Sequence, residues 1–182
     1  MHPRILQELH EVVHIPISII INNSIQKGEL PYDWKRAHIS AIFKKGAKHS
    51  AENYRPISLT SIVVKVAETM IRQEILAHMK MYKLFSNRQF GFLGGRSTVL
   101  QMLIVIDKWM EILDNGEVID TIYCDFMKAF DKVPHNRLLK IIDRYGISGN
   151  IHTWITNYLL GRQQRVKAKD SFSDYQGVTS EI

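Results

Sequence analysis

Asp125 closes a run of β-branched and aromatic residues. Residues 117–124 read Glu-Val-Ile-Asp-Thr-Ile-Tyr-Cys, a pattern that predicts a short buried strand. A carboxylate at the open end of such a strand is held by rigid backbone while its oxygens reach solvent. That suits Mg²⁺, which favours one or two carboxylates plus substrate phosphates over a full protein cage. Phosphoryl-transfer enzymes place such an ion between the attacking oxygen and the phosphate. An isolated Asp in this position is more often a turn cap, so Asp125 alone does not decide between the two roles.

Three further groups have the chemistry of phosphate ligands. Lys44 and Lys45 sit in a basic turn, and Arg55 follows on the returning strand. Lysine offers a point charge, and arginine a planar fork of donors. Gly91, Gly94 and Gly95 lead into Arg96 and Ser97, where backbone approach and positive charge converge ahead of a helix that Ser97 is suited to cap. Arg162, Arg165, Lys167 and Lys169 lie on an extended, alternating stretch. Such a stretch reads equally well as a charged edge strand protected from aggregation or as a contact for a nucleic-acid backbone. For the lysine turn and the glycine loop, the residues alone favour ordinary solvated turns.

Four motifs in order weigh more than any one of them. Asp-Phe-Met-Lys-Ala-Phe-Asp-Lys-Val-Pro-His over 125–135 resembles the first catalytic motif of reverse transcriptases, in the version found in non-LTR retrotransposons of the jockey-like and chicken-repeat-like kind. Ile-Phe-Lys-Lys-Gly followed by Asn-Tyr-Arg-Pro-Ile-Ser-Leu-Thr-Ser is similar to that family's fingers hairpin. Gln-Phe-Gly-Phe with Gly-Arg-Ser-Thr resembles its template-contacting motif. The segments following 138 and 154 resemble the palm sequence after the first catalytic Asp. The resemblance runs from the N-terminal helices to about Ser180. It implies that Asp125, with Phe126 beside it, stands at the catalytic metals. It implies that Phe130 is the aromatic gate against a ribose 2′-hydroxyl and that Ala129 leaves room for the sugar. Arg55 and Lys44 would hold the triphosphate. Gly95, Arg96 and Ser97 would meet the template, with Arg162 and Arg165 on the primer–template backbone. The implied partners are an RNA template, a DNA primer and dNTPs, with Mg²⁺ as cofactor.

The chain also departs from the pattern. Met127 replaces a small polar residue, and Leu93-Gly94 lacks a basic residue common in the family. No adjacent Asp-Asp pair occurs, whereas the family supplies further metal carboxylates from a later Tyr-x-Asp-Asp hairpin. Asp120 lies an odd number of positions from Asp125 and would face away in a strand. Asp131 is carried by the family in addition to that pair. The sequence is therefore expected to be a fragment, inactive alone, with a non-catalytic nucleic-acid-binding remnant or an inert fossil fragment as the alternative.

Elements that position these groups follow from periodicity. Residues 3–14, with Ile5, Leu6, Leu9, Val12 and Val13, predict one amphipathic helix, and Pro16 opens a second that Gly28 caps. Residues 37–43 and 53–59 predict a strand pair, with Pro56 confined to an edge or strand start. Helices follow after Thr60 or Ser61, after Ser97, over 136–145 and over 151–160. Val99, Leu103, Ile106, Met110 and Leu113 are expected to face the core. The expected class is α+β, helix-rich with short antiparallel strands. The expected division is a helical lead-in over 1–30, fingers over 31–116 and a partial palm over 117–182.

The 182 residues carry a formal charge of +6 and are 45% hydrophobic, which excludes wholesale disorder and is compatible with nucleic acid. Cys124, the single cysteine, is expected in the core rather than as a reactive thiol. No signal peptide or membrane span is legible, so an intracellular location, nucleus or cytoplasm, is expected.

Overall fold

The computed structural model describes residues 3–130 and 132–178, without the side chains of Pro3, Ile5 and Leu6. Asp131, Thr179 and Ser180 lie outside the described residues. The chain divides into two compact units, one of Met1–His78 with Lys128–Ile182, the other of Met79–Met127.

In the first unit, α1 (Pro3–Glu8) is followed by α2 (His10–Lys27). The break falls at Leu9, and Pro16 lies inside α2 instead of opening a new helix. The expected boundary is thus displaced. Gly28 ends α2 at φ 66°. A Cβ there would stand 2.6 Å from the Thr153 methyl, so both conformation and space require glycine.

A 3-10 turn, Tyr32–Lys35, leads into β1 (Arg36–Phe43). After a second 3-10 turn, Ala51–Asn53, β2 (Tyr54–Leu59) returns antiparallel to it. β2 is an edge strand, which accommodates Pro56 without loss of a ladder hydrogen bond. α3 (Ile62–Met81) then begins; its last residues, from Met79, belong to the second unit.

In the remainder of the first unit come α5 (His135–Arg144), α6 (Gly149–Leu159), β3 (Gln163–Ala168), β4 (Ser171–Phe172) and β5 (Gln176–Gly177); α4 (Thr98–Asp114) belongs to the second unit. The end of α5 is closed by Gly146 and Ile147. Their N–H groups reach Asp143 O at 2.8 Å and Ile142 O at 3.2 Å, a Schellman pair.

The sheet is mixed. Its order is β2-β1-β3-β4 with β5 also on β3, and β1 and β3 run parallel. The expectation of antiparallel strands alone is corrected. β3 is interior, so its charges do not protect an edge.

Along β1, Ala37 and Ile39 are buried while Arg36, His38 and Ser40 are half-buried, so one sheet face is covered. The core joins Ile21 of α2, Trp34, Val64, Ala67 and Ile71 of α3, and Trp154, Ile155, Tyr158 and Leu159 of α6. Trp154 is 2% exposed, stacks on Tyr158 at 5.0 Å between centroids and donates its indole N–H to Ser24 Oγ at 3.0 Å.

In the second unit, Ser97 caps α4, accepting from Leu100 N at 3.1 Å. The helix closes with a second Schellman pair, Gly116 N to Leu113 O at 2.9 Å and Glu117 N to Ile112 O at 3.1 Å. No residue of α4 is buried. Val99, Leu103, Ile106, Met110 and Leu113 are exposed, against the expected core face. Among the described residues no helix is long and apolar enough to cross a membrane.

Candidate nucleic-acid and nucleotide site

The β1–β2 hairpin holds its basic turn in a defined shape. Lys44 N bonds Asn53 O at 2.8 Å, Asn53 Nδ2 donates to Ala47 O at 3.0 Å, and Tyr54 Oη donates to Lys48 O at 2.8 Å. Phe43 and Tyr54 meet edge to face at 5.4 Å beneath it. Lys44 and Lys45 are exposed at the start of this loop, and Arg55 is exposed one residue after Tyr54. The arrangement offers exposed cations on a pinned backbone, which suits a phosphate group.

Strand register extends this basic character across the sheet. Arg55 pairs with Ile42, His38 with Leu59 on one side and Arg165 on the other, Ser40 with Lys167, and Arg36 with Gln163. Directly paired residues project from the same face. One face therefore bears Arg36, Arg55, Arg165 and Lys167 around His38. Burial, then Arg165 and Lys167, hold the His38 imidazole below its ordinary value of 6.5. Sequence reasoning named Arg55 and Arg165 but missed Arg36 and His38. The period-two alternation of β1 was the available signal.

Arg162 lies elsewhere. It is 3% exposed, with its guanidinium 4.5 Å from the Tyr158 ring centroid. It stands one residue before β3, in the interior, and is no part of the basic face. Arg96 is half-buried and occupied. Its Nη1 donates to Ser86 O at 2.7 Å and Gln89 O at 2.5 Å, which closes the glycine-rich loop. Gly95 takes φ 81° in that loop, and Ser97 is the helix cap described above.

The segment 117–126 carries no regular secondary structure, and residues 117–124 do not form the expected strand. Ile122 is 87% exposed, and Cys124 is an exposed free thiol instead of a core residue. A strand needs a neighbour for its N–H and C=O groups, and none of the described strands pairs with this one. Asp125 and Phe126 are exposed in the second unit. Ala129 and Phe130 are exposed in a turn of the first, beyond Lys128 at φ 53°.

As metal ligands, Asp125 supplies one carboxylate, and Phe126 has only its backbone carbonyl to offer. Among the described residues, no group of three His, Cys, Asp or Glu side chains is placed to hold an ion. A two-metal centre needs several carboxylates, so the described donor set does not fit one by itself.

Comparison with known proteins agrees with the motif order. The family model described as reverse transcriptase (RNA-dependent DNA polymerase) matches residues 42–179. The chain is 30% identical over 168 residues to a probable RNA-directed DNA polymerase from transposon X-element of Drosophila melanogaster, covering 91% of this chain and 18% of that protein. It is 30% identical over 164 residues to the corresponding protein from transposon BS of the same organism, covering 86% and 17%. It is 32% identical over 124 residues to the RNA-directed DNA polymerase from mobile element jockey, also of Drosophila melanogaster, covering 68% and 14%. The chain thus spans less than a fifth of the length of these relatives. With more than half of its residues inside the family match, the chain belongs to the reverse transcriptase family, in the lineage of non-LTR retrotransposon RNA-directed DNA polymerases.

Proposed function

We propose that this chain is the nucleotide- and template-handling part of an RNA-directed DNA polymerase that copies RNA into DNA. The observation that carries the reading is the pinned β1–β2 hairpin, with Lys44 and Lys45 at its turn and Arg55 on its return strand. In this reading residues 31–116 act as fingers and 117–182 as part of the palm. Arg55 and Lys44 hold the β- and γ-phosphates of an incoming dNTP. Phe130 and Ala129 shape the sugar site. Gly95, Arg96 and Ser97 form a rigid loop beside the template, Arg96 acting by closing the loop. Asp125, with the Phe126 carbonyl, contributes one share of a Mg²⁺ site that needs further carboxylates. The chain alone binds and does not extend a primer.

Photo-crosslinking with an azido-dATP analogue, in the presence of an RNA template and DNA primer, tests the hairpin assignment. Label is expected on the peptide spanning 44–55 and is expected to be lost in Arg55→Ala. Labelling spread evenly along the chain, or insensitive to that substitution, would sink the assignment.

A second reading, nucleic-acid binding without catalysis, is favoured by the basic sheet face. That face is built wholly within the first unit and needs no metal.

A further inference from the structure

We propose that His10 and His14 form a chelating pair for a divalent transition-metal ion of the zinc class, at the start of α2. Residues 10–14 read His-Glu-Val-Val-His, and all five lie in that helix.

Spacing brings the two side chains together. Positions i and i+4 of a helix lie one above the other on the same face, with Cβ atoms about 5–6 Å apart. Two nitrogens on one tetrahedral ion, each at about 2.0–2.1 Å, stand about 3.3 Å from each other. Two imidazoles on that face therefore need only lean together. Both residues are exposed, so the lean displaces no packed neighbour and an ion can arrive from solvent.

Hydrogen bonds set the tautomer. His10 Nδ1 lies 3.0 Å from Gln7 O, and His14 Nδ1 lies 3.0 Å from His10 O. A carbonyl oxygen only accepts, so both Nδ1 atoms carry the proton and, in the neutral ring, the lone pair falls on Nε2. Metal-binding histidines characteristically donate one ring N–H to such an acceptor, which fixes the tautomer and raises ligand basicity. That arrangement occurs here twice, on neighbouring rings. Neutral imidazole suits zinc, nickel and copper, whereas Mg²⁺ takes oxygen ligands.

An ion at this place would clip the start of the helix. Leu9, the N-cap, supplies no side-chain cap. The Val12 and Val13 N–H groups both reach Leu9 O at 2.9 Å. A metal shared by His10 and His14 closes that turn from outside. The helix dipole opposes a cation at this end only weakly at an exposed site, and Glu11 in the same turn offsets it. Glu11 also completes the His-Glu-x-x-His pattern that metalloproteases place on a helix, with the Glu as general base. Hydrolytic zinc takes three protein ligands, and among the described residues no group of three is placed to hold an ion. The site is therefore one of binding, with water in the remaining positions.

Isothermal titration calorimetry of the full chain with ZnCl₂, and separately with MgCl₂, tests the pair against His10→Gln and His14→Gln, with thermal melts to confirm folding. Zn²⁺ is expected to bind wild type and to lose about tenfold or more in affinity in either variant. Mg²⁺ is expected to leave both rings unmoved. By NMR, Zn²⁺ is expected to shift Nε2 of His10 and His14 together, ahead of the other histidines, and to slow hydrogen exchange at Val12 and Val13. Zn²⁺ affinity unchanged in both variants, or shifts confined to other histidines, overturns the site. Loss in one variant alone overturns the chelate. Coordination through Nδ1 overturns the tautomer argument. A wild-type chain that takes up no Zn²⁺ overturns the proposal whole.

Discussion

The guanidinium of Arg162 lies over the ring of Tyr158, 4.5 Å from its centroid, while the Tyr158 hydroxyl donates to Glu68. This arrangement ties α3, α6 and the entry to β3 together inside the first unit. Burial holds the Tyr158 phenol above its ordinary value; Arg162 opposes the shift and the bond to Glu68 adds to it. A raised value means the folded chain keeps a proton that the unfolded chain loses near pH 10. Stability from this group is therefore full below pH 10 and declines as pH rises beyond it. Urea melts from neutral to alkaline pH are expected to show that decline, and Tyr158→Phe is expected to flatten it. An alkaline limb unchanged by the substitution would assign the decline to other groups.

The core depends on Trp154. Trp154→Ala is expected to cost about 3–5 kcal/mol, the range for removing a buried aromatic. Ser24→Ala leaves the indole N–H without its acceptor, and is expected to cost about 1–3 kcal/mol. Urea denaturation of both variants measures these differences. A Ser24→Ala chain as stable as wild type would mean that water replaces the hydroxyl.

Local signals were legible in the sequence and non-local ones were not. Gly28, Gly116 and Gly146 end helices, and Ser97 begins one, because caps depend on a few neighbouring residues. The strand pair was legible because its two halves are close in sequence. Residues 117–124 have strand composition, but a strand exists only where another strand pairs with it. Arg162 and Arg165 look alike in sequence. Only the pairing of β3 with β1 puts one inside and the other on the basic face. The parallel β1–β3 contact joins residues more than a hundred positions apart, which no periodicity reports.

Exposure of Cys124 gives a chemical test of the segment leading to Asp125. Ellman's reagent is expected to react with one thiol per folded chain without denaturant, at a rate close to that of the urea-unfolded chain. A thiol that reacts only after unfolding would place residues 117–124 in a packed strand.

The cap on α4 is separable from the rest of the loop. Ser97→Ala is expected to cost about 1 kcal/mol of helix stability. Hydrogen exchange at Leu100 and its neighbours should then accelerate about fivefold. Exchange at Gly116, held by the distant Schellman closure, is expected to change little. Uniform acceleration along α4 would show that the helix opens as one body.

Binding of an RNA–DNA primer–template duplex to the unaltered chain across a salt series measures nucleic-acid handling directly. Binding is expected at low salt and is expected to fall linearly in log K against log salt, with a slope set by several released counterions. Absence of binding at the lowest salt, or binding that does not respond to salt, would contradict it.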